Sequence, residues 1–205
     1  MAHLKLFPTN IGIYDVENSE TLNKELMAVD GLIDNKYNFR LYNDIWNIRN
    51  DVPAIKKLHD LFLTNAATFA NECHPEFEYK PEFFHMEEGW CDSRLANQDL
   101  RMHNHRSSHL SGVYYCQVTP TSGDLEFIDP RANLGVVSLD SHKHYNAYRH
   151  RPEPGQMLIF PGWLLHYVHS NLSGIPRVVF VTNFKLKDEL QFKGERHKPN
   201  EVTMK

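Results

Sequence analysis

Three cysteines in 205 residues, at Cys73, Cys91 and Cys116, are too few and too scattered for a disulfide framework, and they form no CxxC pair for a zinc site. They read as core thiols in a reducing, cytoplasmic setting. Basic charge is not in excess. The 22 Lys and Arg against 26 Asp and Glu give a net charge of -4, so no positive field draws nucleic acid or a membrane surface. Apolar runs such as Val178–Val181 are far too short to span a bilayer, and the opening Met-Ala-His-Leu-Lys lacks the apolar stretch of a secretory signal. Linkers, internal repeats and low-complexity stretches are missing as well. One domain over 1–205 is expected, long enough to bury roughly two-thirds of its unfolded surface. What the chain has in quantity is histidine: 13 copies, several in close pairs. Surface solvation does not require so many, whereas metal binding would use them.

The pattern changes character near residue 85. Helical support is expected over about 15–75: Ser19 is suited to cap a helix starting at Glu20, with Leu22, Leu26 and Val29 at helical spacing. A stronger helix is expected from about Asp51 to Cys73. Pro53 stands in its first turn, and Val52, Ile55, Leu58, Phe62, Phe69 and Cys73 form one apolar stripe for packing on a sheet. A β core is expected over about 85–190. Its strands read as Gly89–Ser93, Leu100–His105, Leu110–Val118, Asp124–Ile128, Gly135–Leu139, Gln156–Phe160, His166–Ser170 and Arg177–Leu186, divided by turn-forming stretches. Short strands without intervening helices point to a sandwich, barrel or jelly roll. The polar tail from Lys193 to Lys205 is expected to lie outside this core.

Three places carry chemistry. His103-Asn104-His105 puts two imidazoles on one face if the strand runs through both, since residues two apart share a face. In Gly155-Gln-Met-Leu-Ile-Phe-Pro-Gly-Trp-Leu-Leu-His166 an apolar strand turns a corner and the next strand opens on a histidine. A satisfied core histidine would fit that position; a metal would also explain why it points inward. Arg177, at the head of Arg177-Val-Val-Phe-Val-Thr-Asn183, is costly in so apolar a strand unless it meets an anion. Its planar fork suits a carboxylate, whether that of a ligand or of an internal Asp or Glu. Eleven residues after His166, it reads as the next strand of a hairpin, so both side chains are expected to face one cavity.

Taken in order, the HisXHis pair, Ser111-Gly-Val-Tyr-Tyr115, Gly123-Asp-Leu-Glu-Phe-Ile-Asp-Pro-Arg131, Phe160-Pro-Gly-Trp-Leu-Leu-His166 and Arg177-(X)5-Asn183-Phe resemble the 2-oxoglutarate/Fe(II) oxygenase superfamily. Within it, the chain is most similar to a group of short bacterial and phage members, and Leu6-Phe7-Pro8-Thr9 resembles that group's start. The resemblance implies a mainly β fold, a double-stranded β-helix (jelly roll) with packing helices from the N-terminal part. It implies Fe(II) and 2-oxoglutarate as cofactors and O2 as co-reactant; hydroxylation of a substrate C–H bond is the implied reaction. His103 and His166 would bind iron, Arg177 would hold the 2-oxoglutarate carboxylate with Tyr115 and Tyr114, and Asn183 belongs to the same cofactor-binding motif.

One departure stands out. The superfamily's first motif is HisXAsp or HisXGlu, and here its third position is His105. Either His105 completes the ligand set or a carboxylate arrives from elsewhere, Asp129 being the nearest donor and His85/Glu87 a further pair. His74/Glu76 precedes a proline turn, and His142/His144 sits in a polar stretch. His109, His150 and His169 read as surface or supporting groups, and Tyr145, Tyr148 and Trp163 as candidates for the substrate entrance. Two other readings stay open: a cupin-like three-histidine dioxygenase that does not use 2-oxoglutarate, and a non-catalytic β-sandwich binding module. The primary substrate is not legible.

Overall fold

The computed structural model describes residues 8–29, 31–32, 45–131 and 147–187. The expected strand 135–139, His142, His144, Tyr145 and the tail 193–205 lie outside the described residues.

Helix α1 (Ser19–Met27) begins one residue earlier than the sequence suggests. Asn18 takes the cap position in the left-handed region, at φ 54°, and no side chain caps the helix, so Ser19 is its first residue rather than its cap. Leu22 and Leu26 are fully buried. Helix α2 (Pro53–Cys73) starts with proline, whose missing N–H costs nothing in a first turn. It buries Ile55, Leu58, Phe62 and Phe69. Each large apolar side chain removed from water here contributes about 1.5–3 kcal/mol.

Nine described strands follow or flank these helices: β1 (Gly12–Asp15), β2 (Phe84–Arg94), β3 (Leu100–His103), β4 (Leu110–Gln117), β5 (Leu125–Ile128), β6 (Ala147–His150), β7 (Gln156–Pro161), β8 (His166–Val168) and β9 (Arg177–Leu186). They form two antiparallel sheets, one in the order β1-β7-β4-β9-β2 and one in the order β3-β8-β5-β6. The larger sheet is covered on both faces. Toward the helices it presents Tyr114, Cys116, Val178, Phe180 and Phe184, packed with Phe62 and Leu58. Toward the smaller sheet it presents Val113, Tyr115, Val179 and Val181, which meet Leu125, Phe127 and Val168. Burial on both faces explains why β4 and β9 read as nearly unbroken apolar runs.

The topology corrects one expectation. His166 and Arg177 are not on a hairpin: β8 belongs to the smaller sheet and β9 to the larger. The chain between them crosses over, organised by Asn171, whose Nδ2 donates to the carbonyls of Arg94 and Ile175 at 2.9 Å each. The two side chains therefore face each other across the interior. No helix among the described residues is long and apolar enough to cross a membrane.

Candidate metal centre and anion site

β3 and β8 pair so that His103 stands directly opposite His166, with ring centroids 4.3 Å apart. His105 lies beyond the end of β3, not within it. A turn carries it instead: its amide donates to the Gly162 carbonyl at 2.7 Å, and its carbonyl accepts from Ser108 N at 3.0 Å. The three rings converge, their candidate ligand atoms all within 4.8 Å of one another. This is the one such group of three among the described residues.

The hydrogen bonds set the ring tautomers. His103 Nδ1 donates to the Arg101 carbonyl at 2.7 Å, and His166 Nδ1 donates to the Leu164 carbonyl at 2.8 Å. With the proton on Nδ1, Nε2 keeps its lone pair for a metal, the arrangement by which backbone carbonyls orient ligating histidines. Burial pushes the His166 pKa down to about 4, with nearby His103 adding to the effect against the Leu164 hydrogen bond. His166 is therefore neutral at physiological pH. Phe160 packs edge-on against it at 5.0 Å, and Trp90 lies 6.1 Å from the His105 ring.

Gly162 holds the His105 turn in place. A Cβ there would sit 2.4 Å from the Ser108 carbonyl oxygen and 2.9 Å from that of His105, backbone atoms that cannot yield cheaply. Gly162→Ala is expected to displace the turn and weaken metal binding by roughly ten-fold or more, as misplaced supporting groups do at metal sites. Titration with Mn(II) checks this; wild-type affinity in the variant would show that the turn does not govern His105.

About 560 Å³ of cavity between the sheets joins these imidazoles to Arg177, Tyr115 and an Asp92–Arg94 pair. Arg177 is only 2% exposed, yet its Nε and Nη1 make no hydrogen bond to any described residue. The Tyr115 hydroxyl lies beside this guanidinium but forms no well-aligned hydrogen bond, and the guanidinium carbon lies 5.7 Å above the Tyr115 ring centre. Burial pushes the Tyr115 pKa up to about 12 against the pull of the Arg177 charge, so the phenol keeps its proton and can donate. A buried cation and a buried phenol left unmatched are destabilising unless an anion completes them.

Other candidates are placed elsewhere. Tyr114 faces the helices, opposite to Tyr115, and its hydroxyl donates to Asn23 Oδ1 at 2.6 Å. Asn183 accepts from Ser111 Oγ at 3.1 Å and donates to Glu88 Oε1 at 3.4 Å, and it does not line the cavity. Asp129 is held by Arg131, with contacts of 2.7–3.0 Å, and Glu87 pairs with Lys185, leaving His85 exposed. His74 and Glu76 form an exposed pair. His109 accepts from the Leu186 amide, His150 contacts Gln156, and His169 pairs with Glu126. Trp163 borders a different cavity, beside Phe69 and Tyr79, and Tyr148 lies half-exposed on β6. The sequence reading missed Trp90, Asp92 and Arg94, although alternation along β2 puts all three on one face.

Residues 88–183 match the family model described as "Putative 2OG-Fe(II) oxygenase". Among curated protein sequences none matches. The fold is similar to that of HygX from Streptomyces hygroscopicus with nickel and 2-oxoglutarate bound, at 12% identity and TM-score 0.59 over 88% of this chain and 84% of that one. It is also similar to EctD from S. alaskensis with 2-oxoglutarate and 5-hydroxyectoine, at 14% identity and TM-score 0.57 over 87% and 72%. The chain spans only about half the length of two others, a 2OG-Fe(II) oxygenase family oxidoreductase from Burkholderia pseudomallei (45%) and the carbocyclase SnoK (49%), at TM-scores of 0.40 and 0.39. The two facing antiparallel sheets thus form a double-stranded β-helix, the fold shared with HygX and EctD. The stretch 88–183 that matches the model of putative 2OG-Fe(II) oxygenases carries the three histidines, Tyr115 and Arg177.

Proposed function

We propose that this protein is an Fe(II)- and 2-oxoglutarate-dependent oxygenase acting on a substrate C–H bond, a hydroxylase in its simplest form. The observation that carries the reading is the unmatched Arg177 guanidinium, buried in the same cavity as three converging imidazoles. A metal site alone would not need it, and a cupin-like three-histidine dioxygenase has no use for it.

His103, His105 and His166 would hold the iron through neutral nitrogens, a facial set that leaves positions open. When bound, iron with the 2-oxo acid supplies O2 activation through oxidative decarboxylation to succinate and CO2. Arg177 grips the far carboxylate with two parallel N–H donors, and the protonated Tyr115 hydroxyl donates a third hydrogen bond. Phe160, Phe127 and Trp90 keep water from the imidazoles. The test is Fe(II)-dependent conversion of 2-oxoglutarate to succinate in air, with 2-oxoglutarate binding followed anaerobically. Absence of both binding and conversion in iron-loaded protein would overturn the reading.

The third ligand has its own test. His105→Asp is expected to retain or tighten metal binding, because a carboxylate restores the negative charge that this site lacks. Asp129→Ala is expected to leave binding intact, since that carboxylate is committed to Arg131. Loss of binding in Asp129→Ala with retention in His105→Ala would reassign the ligand.

A further inference from the structure

Arg177 lacks a partner although a carboxylate of the same chain stands close by. β2 and β9 pair so that Arg94 lies directly opposite Arg177 and Asp92 opposite Val179. Asp92, Arg94 and Arg177 all line the cavity, so their side chains share one face. Directly opposed like charges destabilise an antiparallel pair, while diagonal neighbours lie about 7–8 Å apart, within reach of a long side chain. Asp92 is thus diagonal to Arg177 and suited to neutralise it.

Arg94 takes that carboxylate instead. Its Nε donates to both Asp92 oxygens, at 3.0 and 3.1 Å, and the two side chains are only 22% and 14% exposed. Arg94 is itself fixed, with Nη1 donating to the Asp99 carbonyl at 2.8 Å and its own carbonyl accepting from Asn171. A guanidinium braced on the Asp99 carbonyl, on a backbone tied to Asn171, is a preorganised captor, and the carboxylate it holds makes no hydrogen bond to Arg177 Nε or Nη1.

We propose that Arg94 is a positioning residue that sequesters Asp92 and so keeps the Arg177 guanidinium open to an incoming carboxylate. Without Arg94, Asp92 would swing onto Arg177 as an internal anion and compete with the ligand. This inference rests on Arg177 being the 2-oxoglutarate anchor. It explains how a cavity with a carboxylate in its wall keeps a buried cation unmatched.

The test is calorimetric titration of 2-oxoglutarate into Mn(II)-loaded protein. Arg94→Met, which keeps the aliphatic stem, is expected to bind roughly ten-fold or more weakly, the scale of coupling within one ion-pair network. Adding Asp92→Asn to that variant is expected to restore affinity to within about three-fold of wild type, because no competing anion is left. A crystal structure of Arg94→Met is expected to show an Asp92 oxygen hydrogen-bonded to Arg177. Unchanged affinity in Arg94→Met overturns the proposal. So does a double variant as weak as the single one, which would make Arg94 a direct ligand contact or a brace for the β2–β3 turn. Wild-type affinity in Arg177→Ala would overturn the cosubstrate reading and this inference together, whereas a weakened Arg177→Ala beside an unaffected Arg94→Met condemns the inference alone.

Discussion

Replacing His103 or His166 with alanine is expected to abolish stoichiometric Fe(II) binding in a protein that still folds. Removing a group that merely supports a ligand costs metal sites about ten- to a hundred-fold in affinity; removing one of three ligands is expected to cost more than that. His103 gives the cleaner experiment. It is partly exposed at the end of an edge strand, whereas His166 is 3% exposed and packed on Phe160 and Phe127. His166→Ala therefore also opens a gap in the inter-sheet core and is expected to lower thermal stability, while His103→Ala is not. Co(II) gives a visible spectrum that reports coordination directly, so both variants can be read without turnover. Tight metal binding by folded His103→Ala would remove it from the ligand set.

The parts of this fold that depend on periodicity were legible. The stripe Ile55, Leu58, Phe62 and Phe69 with Pro53 gave α2 to within two residues of its observed start, and the double-sided burial of β4 and β9 gave their long apolar runs. Short edge elements were not legible. β1 and β6 are four residues each, and in Ala147–His150 the two central residues are exposed while His150 is buried, so no alternation marks it. The supposed hairpin between His166 and Arg177 failed for a different reason. A turn-rich connection shows that the chain reverses, but not that it changes sheet, which depends on the Asn171 and Ser173 hydrogen bonds within residues 171–175 and on the one from Asn171 to Arg94.

At the site, the histidines and Arg177 converge in one cavity, but not by the route their spacing suggested. His103 and His105 share a target although the strand ends at His103, because the Gly162 corner holds His105 back toward it. The two tyrosines could have been separated on paper: Tyr114 and Tyr115 are neighbours in a strand, so they point to opposite faces, and the face of Tyr115 is that of Val113. Asn183 shares the face of Arg177 but lies three alternations further along, where Ser111 and Glu88 engage it. The Asp92–Arg94 pair escaped notice because an Asp and an Arg two residues apart look like ordinary surface charge until the strand is known to face inward.

Arg177→Ala is expected to weaken 2-oxoglutarate binding by about 2–5 kcal/mol, the cost of truncating one partner of a buried charge pair, or roughly thirty-fold to several-thousand-fold. Metal affinity is expected to change little, since the arginine coordinates nothing. Arg177→Lys is expected to recover part of the loss, because an ammonium offers a point charge but not the two-pronged contact. Stability separates this account from a purely structural one. A guanidinium that anchored the fold through an internal ion pair would, on removal, leave its partner stranded and lower the melting temperature. Here Nε and Nη1 have no partner to strand, so Arg177→Met is expected to leave the ligand-free melting temperature unchanged or to raise it. Adding 2-oxoglutarate to Mn(II)-saturated protein should then raise the melting temperature of wild type further, by the mass action of a ligand that binds only the folded state, and raise that of the Mn(II)-saturated variant far less. A ligand-free Arg177→Met protein that melts well below wild type would mean that the arginine serves the fold, and the case for a carboxylate cosubstrate would lose the observation on which it rests.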